Sequence, residues 1–316
     1  MFNTDINHWL QQWDHTAVYW FFEGVSALGT APLLIVLLYS LMIGVNLRKG
    51  FGVANMFFYV ILLTLLFKTV VDYPRPMAVD TTLNGFSRKA NTENLVKLQP
   101  QGFFELFSEP LLQKIRAQKA AREGFPSGHT SLITAIMIAT ALIFRRRWLW
   151  YLSTVIIVLM MFSRMYLARH YLGDVLGGLV VGLFFTYLIY AVWKRVFDTE
   201  NHSKKAVTYF MLFPLVFVPF YNVFPAFPVG TFIGLNLGYL LIHRIWGAPR
   251  YADNTGIRVA SVVVFAFIAF ISTYINRRLG FAEYSLLSTL LYIVFSLISF
   301  MSAVFVCVTA KWWVFK

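Results

Sequence analysis

Apolar residues in this chain come in long unbroken runs, not at the two-residue period of a half-buried strand or the three-to-four-residue period of a surface helix. The runs cover about residues 17–46, 52–72, 129–144, 148–166, 175–193, 206–224, 229–246, 258–275 and 283–310. A helix needs roughly 20 apolar residues to cross the hydrocarbon of a bilayer, and it meets its backbone hydrogen bonds internally while doing so. The pattern therefore predicts an all-α protein, a polytopic transmembrane helical bundle of about nine spans. The first and last runs exceed bilayer thickness; tilt, kinks at Gly24, Gly29 and Pro32, or an interfacial extension absorb the excess. Residues 1–16 differ, alternating polar with apolar side chains (Ile6, Trp9, Leu10, Trp13) as in a short amphipathic helix lying in the interface.

Composition narrows the class. The 316 residues are 59% hydrophobic and only 13% charged, which leaves no soluble domain of ordinary size. A net charge of +13 and a pI near 9.8 would suit nucleic acid, but Lys and Arg placed between apolar runs mark loops beside anionic lipid, so no nucleic-acid partner is expected. One set of loops carries Arg48-Lys49, Arg145-Arg146-Arg147, Lys194-Arg195 with Lys204-Lys205, Arg244 with Arg250 and Arg258, then Lys311 and Lys316. Assigning that set to the cytoplasm puts the amino terminus outside and the carboxyl terminus inside. The first run lacks a basic flank and is expected to stay as an anchor, not to be cleaved as a signal peptide. Cys307, the lone cysteine, has no partner for an intramolecular disulfide.

Three polar stretches lie at the ends of runs, all on the predicted extracytoplasmic side. In the first, Lys68 and Arg75 are two helical turns apart, so both share a face if the helix continues to Pro74. They either clamp one anion or snorkel to headgroups. In the second, Pro126-Ser127-Gly128-His129 opens a run, with Ser127 as helix cap and Gly128 giving close backbone access to an anion at the helix start. In the third, Ser163-Arg164 precedes His170 and Asp174, four residues apart and able to meet along one helical turn. A carboxylate there fixes an imidazole's tautomer, and Arg164 offers a bidentate donor to phosphate oxygens; a salt bridge from Arg169 to Asp174 is the structural alternative.

Together these stretches resemble, without substitution, the signature of the type 2 phosphatidic acid phosphatase family: Lys, six residues, Arg-Pro; Pro-Ser-Gly-His; Ser-Arg, five residues, His, three residues, Asp. The resemblance covers about residues 52–195. It implies a helical core in which Lys68, Arg75, Ser127, Gly128 and Arg164 bind phosphate, His170 is the nucleophile, Asp174 orients it, and His129 protonates the leaving oxygen. No metal or other cofactor is expected, since cations take the metal's place and no Asp, Glu and His cluster shows ligand spacing. Glu123-Gly124-Phe125 before the second motif, the basic loop and the Arg145-Arg146-Arg147 turn resemble bacterial phosphatidylglycerophosphate and undecaprenyl pyrophosphate phosphatases. The implied partner is a membrane lipid phosphate in a bacterial inner membrane. The outside amino terminus and nine runs also resemble the glucose-6-phosphatase branch, and a lipid phosphotransferase, or a non-catalytic transporter or scaffold, completes the alternatives.

The expected division is a phosphatase core over 1–205, including an extracytoplasmic loop 77–125, and additional transmembrane helices over 206–316. In the loop, Leu111, Leu112 and Ile115 share a face opposite Lys114 and Lys119, which either lies on headgroups or covers a small core of the loop's own. Gly234 and Gly238, four apart, suggest close helix packing, either within the bundle or in a homodimer through these spans. His8, His15, His202 and His243 are read as structural.

Overall fold

The computed structural model describes residues 1–85, 95–117, 123–197, 204–245, 247, 249–251, 254–280 and 282–315. Loop residues Arg88, Lys89, Glu93, Lys119 and Arg122, and also His202, lie outside them.

The chain is almost wholly helical. Its first half runs through α1 (Asp5–Gln11), α2 (Thr16–Ala27), α3 (Ala31–Tyr39, continued by a π-helical turn Ser40–Val45), α4 (Leu47–Val71), α5 (Pro76–Val79), α6 (Glu109–Ala117) and α7 (Gly128–Phe144). It continues through α8 (Arg147–Tyr166), α9 (Leu172–Phe197), α10 (Lys204–Leu212), α11 (Ala226–Ile245), α12 (Thr255–Arg278) and α13 (Leu286–Thr309). One antiparallel pair, β1 (Pro249–Tyr251) with β2 (Trp313–Phe315), is the exception.

Among the described residues, five helical segments are long and apolar enough to cross a membrane: Leu47–Val79, Arg147–Tyr166, Leu172–Phe197, Ala226–Ile245 and Leu286–Thr309. Thr16–Ala27 and Ala31–Val45 make a sixth if the bent pair counts as one. The break at residues 28–30 falls at Gly29, one of the three expected kink sites. Two other expected spans give shorter apolar helices, Gly128–Phe144 and Thr255–Ile271. The run at 206–224 does not form one rod. Pro214 and Pro219 cannot donate to a helix ladder, so α10 gives way to 3₁₀ turns over Phe213–Phe220.

The chain forms two compact units, residues 1–33 with 63–186, and residues 34–62 with 187–316. In the second unit, α11 packs along α13 because Gly230, Gly234 and Gly238 present one bare face. Added Cβ atoms there would lie 2.4 Å from Tyr292 Cβ, 2.6 Å from the Ile293 carbonyl oxygen and 2.5 Å from the Phe300 ring. The expected glycine face thus docks within the chain. Phe51, Tyr239, Phe265, Phe300 and Trp313 fill the core beside it.

In the first unit, α7, α8 and α9 hold the polar stretches. Gly178 and Gly182 on α9 lie against the backbone of α7, their would-be Cβ atoms 2.6 Å from the Ser127 oxygen and 2.8 Å from the Ser131 oxygen. Among the described loop residues, Leu111, Leu112 and Ile115 of α6 pack with Phe2, Tyr73, Phe107 and Tyr171. Of the two readings of this helix, its apolar face therefore covers a core, while Phe103, Phe104 and Leu106 remain exposed.

Candidate active site

Backbone hydrogen bonds join the three polar stretches. The Gly124 N–H donates to the Tyr73 carbonyl at 2.7 Å, linking the second stretch to the first, and the Ser127 N–H donates to the Asp174 carbonyl at 2.9 Å, linking it to the third. Gly124 is needed at that crossing, since a Cβ would sit 2.6 Å from the Pro74 oxygen. The Lys68 ammonium completes the lattice by donating to the Glu123 carbonyl.

The first stretch converges differently from the expected shared helix face. Helix α4 stops at Val71, and Asp72 takes a left-handed φ of 43°. Arg75 follows in extended backbone, immediately before α5. Lys68 and Arg75 nevertheless act electrostatically on both His129 and His170, as does Arg164. The chain reversal, not helical period, brings the two cations together.

At the second stretch, Ser127 is the N-cap of α7 and its hydroxyl accepts from the Thr130 hydroxyl at 3.0 Å. Gly128 is open toward Lys68: a Cβ would lie 3.5 Å from the Lys68 Cε. His129, in the first helical turn, is packed against Gly29, where a Cβ would meet its ring at 2.7 Å.

The third stretch spans the α8–α9 turn. Arg164, buried in the last turn of α8, donates to the Ser26 hydroxyl at 2.6 Å. His170 lies two residues before α9 rather than on it, and Asp174 lies in the first turn of that helix. Their Nδ1 and Oδ2 atoms are 3.2 Å apart, and the same carboxylate oxygen accepts the Tyr171 N–H at 3.0 Å. With Nδ1 engaged, Nε2 is the ring nitrogen left for chemistry. Burial pushes the His170 imidazole well below its usual 6.5, helped by Arg164, Arg75, Lys68 and His129, so the ring is neutral at neutral pH.

The eight residues singled out from sequence thus lie in one compact unit: Lys68, Arg75, Ser127, Gly128, His129, Arg164, His170 and Asp174. Among the described residues, no group of three His, Cys, Asp or Glu has the arrangement of a metal site. What the site can do is hold an anion among three cations and a helix start, between an imidazole on α7 and one in the α8–α9 turn. Sequence reasoning missed Ser26, Gly29 and Asn7, whose amide reaches the third stretch. Gly29 was read only as a kink, and Asn7 left a trace in being three residues from Leu10 and so on its buried face.

Residues 49–198, just under half of the chain, match the model of the PAP2 superfamily. The chain is similar to proteins named lipid A 4'-phosphatase from Porphyromonas gingivalis, 27% identical over 82 residues, and from Bacteroides thetaiotaomicron, 33% identical over 86. Each match covers 26% of this chain, and the chain spans 35% and 36% of the two relatives' lengths. No solved structure matches it.

Proposed function

We propose that this chain, a membrane protein with a PAP2 superfamily region, removes phosphate from a membrane lipid through a phosphohistidine. The observation that carries the reading is the His170–Asp174 pair, buried at 3.2 Å within the field of Lys68, Arg75 and Arg164. Phosphoryl transfer requires charge compensation on the equatorial oxygens and in-line placement of attacking and leaving atoms. Lys68, Arg75, Arg164 and the start of α7 supply the first. In the second, His170 Nε2 attacks phosphorus while the bond from phosphorus to the lipid oxygen breaks. His129 gives its proton to that leaving oxygen, and Asp174 stabilises the imidazolium that forms. Water then attacks the phosphohistidine, His129 takes its proton, the bond from phosphorus to Nε2 breaks, and inorganic phosphate leaves. No metal enters this scheme, because side-chain cations carry its charge-neutralising role.

The substrate we propose is a phosphate monoester on an amphiphilic lipid, with lipid A first to be tried because of the names of the two relatives. We place the site on the extracytoplasmic side, with the amino terminus outside, on the distribution of Lys and Arg between the runs. Residues 206–316 are an addition to the phosphatase core. Phosphate release is measured from lipid A, phosphatidic acid, phosphatidylglycerophosphate, undecaprenyl pyrophosphate and glucose 6-phosphate, with acid-labile phosphohistidine trapped in parallel. Lipid monoesters are expected to turn over, and His170→Ala to abolish both signals in a folded protein. Robust phosphate release by folded His170→Ala would overturn the mechanism; release from glucose 6-phosphate alone would overturn the substrate class.

A further inference from the structure

The segment before the first long helix is bonded to the backbone of the proposed nucleophile. Asn7, on α1, is 1% exposed, and its amide nitrogen donates to the Met165 carbonyl at 2.7 Å and to the His170 carbonyl at 3.1 Å. Both partners are carbonyls, so the amide must present its nitrogen and both of its N–H groups are used. Gln11, one helical turn later, donates to the Tyr166 carbonyl at 2.8 Å. The Met1 carbonyl accepts the Gly173 N–H at 3.2 Å, and the Phe2 ring occupies the space where a Gly173 side chain would stand. Residues 1–11 thus grip the α8–α9 turn on both sides of His170.

That turn needs an outside hold. Ala168 within it has a left-handed φ of 51°, a conformation that a non-glycine residue keeps only when its surroundings impose it. Asp174 fixes the His170 ring and the neighbouring Tyr171 N–H, and the Arg164 carbonyl accepts the His170 N–H at 3.3 Å, while the His170 carbonyl is held by Asn7. Helix α1 is also pinned along the same face: Asp80, fully buried, accepts from the Thr4 hydroxyl at 2.9 Å and lies 2.8 Å from His8 Nε2. Burial alone would push the Asp80 carboxyl up, but hydrogen bonds from Thr82, His8 and Thr4 outweigh it and hold the group below the usual carboxylate range. The helix therefore has one polar face committed to the turn and to Asp80, while Trp9 and Trp13 project outward.

We infer that Asn7 is a positioning residue for phosphoryl transfer: it sets the backbone at His170 so that Nε2 points along the line of attack. The inference rests on His170 being the nucleophile. A misplaced attacking atom lowers the rate of chemistry more than it lowers substrate binding, which separates positioning from a merely structural role.

The test uses the full chain purified into phosphatidylcholine vesicles containing lipid A, with phosphate release and the rate of phosphohistidine formation followed together. Asn7→Asp keeps the shape but sets a carboxylate against two carbonyls. It is expected to lower kcat by about tenfold or more, with KM within about twofold and phosphohistidine formation slowed in step. Asn7→Ser, which retains one hydroxyl donor, should fall between Asn7→Asp and the parent, and it decides the question if Asn7→Asp does not fold. Gln12→Ala, at an exposed position just past α1, should match the parent. If the parent forms phosphohistidine while folded Asn7 variants keep its kcat, or lose activity through KM alone, the positioning role is overturned and the nucleophile stands. If the parent forms no phosphohistidine, the nucleophile assignment falls and this inference with it.

Discussion

Two buried polar groups, one in each compact unit, are satisfied in opposite ways. In the second unit Asn55 and Asn236 exchange hydrogen bonds at 3.1 Å in each direction. Asn55 also donates to the Phe51 carbonyl and Asn236 to the Met211 carbonyl, so all four N–H groups are used within the pair's own surroundings. In the first unit Asp174 spends one carboxylate oxygen on His170 and Tyr171, while its other oxygen and the Tyr171 hydroxyl are buried without a protein partner. A closed polar pair inside an apolar bundle locks two helices in register. A buried carboxylate oxygen with bonding capacity left over, in the field of Lys68 and Arg75, accords with the proposed site and not with a packing role.

Arg164→Lys tests the open side most severely. Lysine keeps the charge but loses the planar fork and the geometry of the Ser26 bond, so kcat/KM for lipid phosphate should fall on the order of 100-fold, with the melting temperature little changed. A variant near parental activity would mean that Arg164 is only structural. Gly29→Ala comes next. Its new Cβ would stand 2.7 Å from the His129 ring, and moving that ring should cut kcat about tenfold while costing about 1–3 kcal/mol of stability, read by turnover and by denaturation. Tight packing at Gly29 without a catalytic effect would separate His129 from the leaving group.

A pH profile sharpens the same contrast. Because burial and the surrounding cations depress the His170 imidazole, protonation of the nucleophile sets in only below pH 6.5, and the acid limb of kcat/KM belonging to His170 should lie there. An acid limb at or above 6.5 in the rate of phosphohistidine formation would contradict the burial argument. The smallest effect on activity is expected from the closed pair. Asn55→Leu leaves Asn236 unsatisfied and should cost about 1–3 kcal/mol, whereas pairing it with Asn236→Leu should cost less than the sum of the two single changes. Turnover per folded molecule should stay at the parental level in both, and a loss there would show that the Asn pair serves function as well as packing.

Much of the helix inventory was legible along the chain because an apolar run is a local property. The apolar runs resolve into helices, and the cap at Ser127 and the break at Gly29 fall where local chemistry puts them. The run at 206–224 is the instructive departure: its hydropathy is that of a span, but Pro214 and Pro219 remove ladder donors that hydropathy does not register. In the site, the identity of the polar residues could be read, whereas their means of meeting could not. Arg75 comes near Lys68 by a reversal at Asp72, and His170 reaches Asp174 across a helix start, because backbone partners distant in sequence stabilise those turns.

The sequence by itself determined the membrane class, the apolar runs that become helices, and the set of cations, imidazoles and carboxylate available for chemistry, since each depends on side-chain type and local spacing. Only the tertiary structure decided that Asn7 grips the backbone of His170 from 163 residues away, that Ser26 holds Arg164, and that Gly29 makes room for His129. Those contacts join segments with no periodic or spacing relation to one another, and the packing that creates them exists only once the helices have assembled.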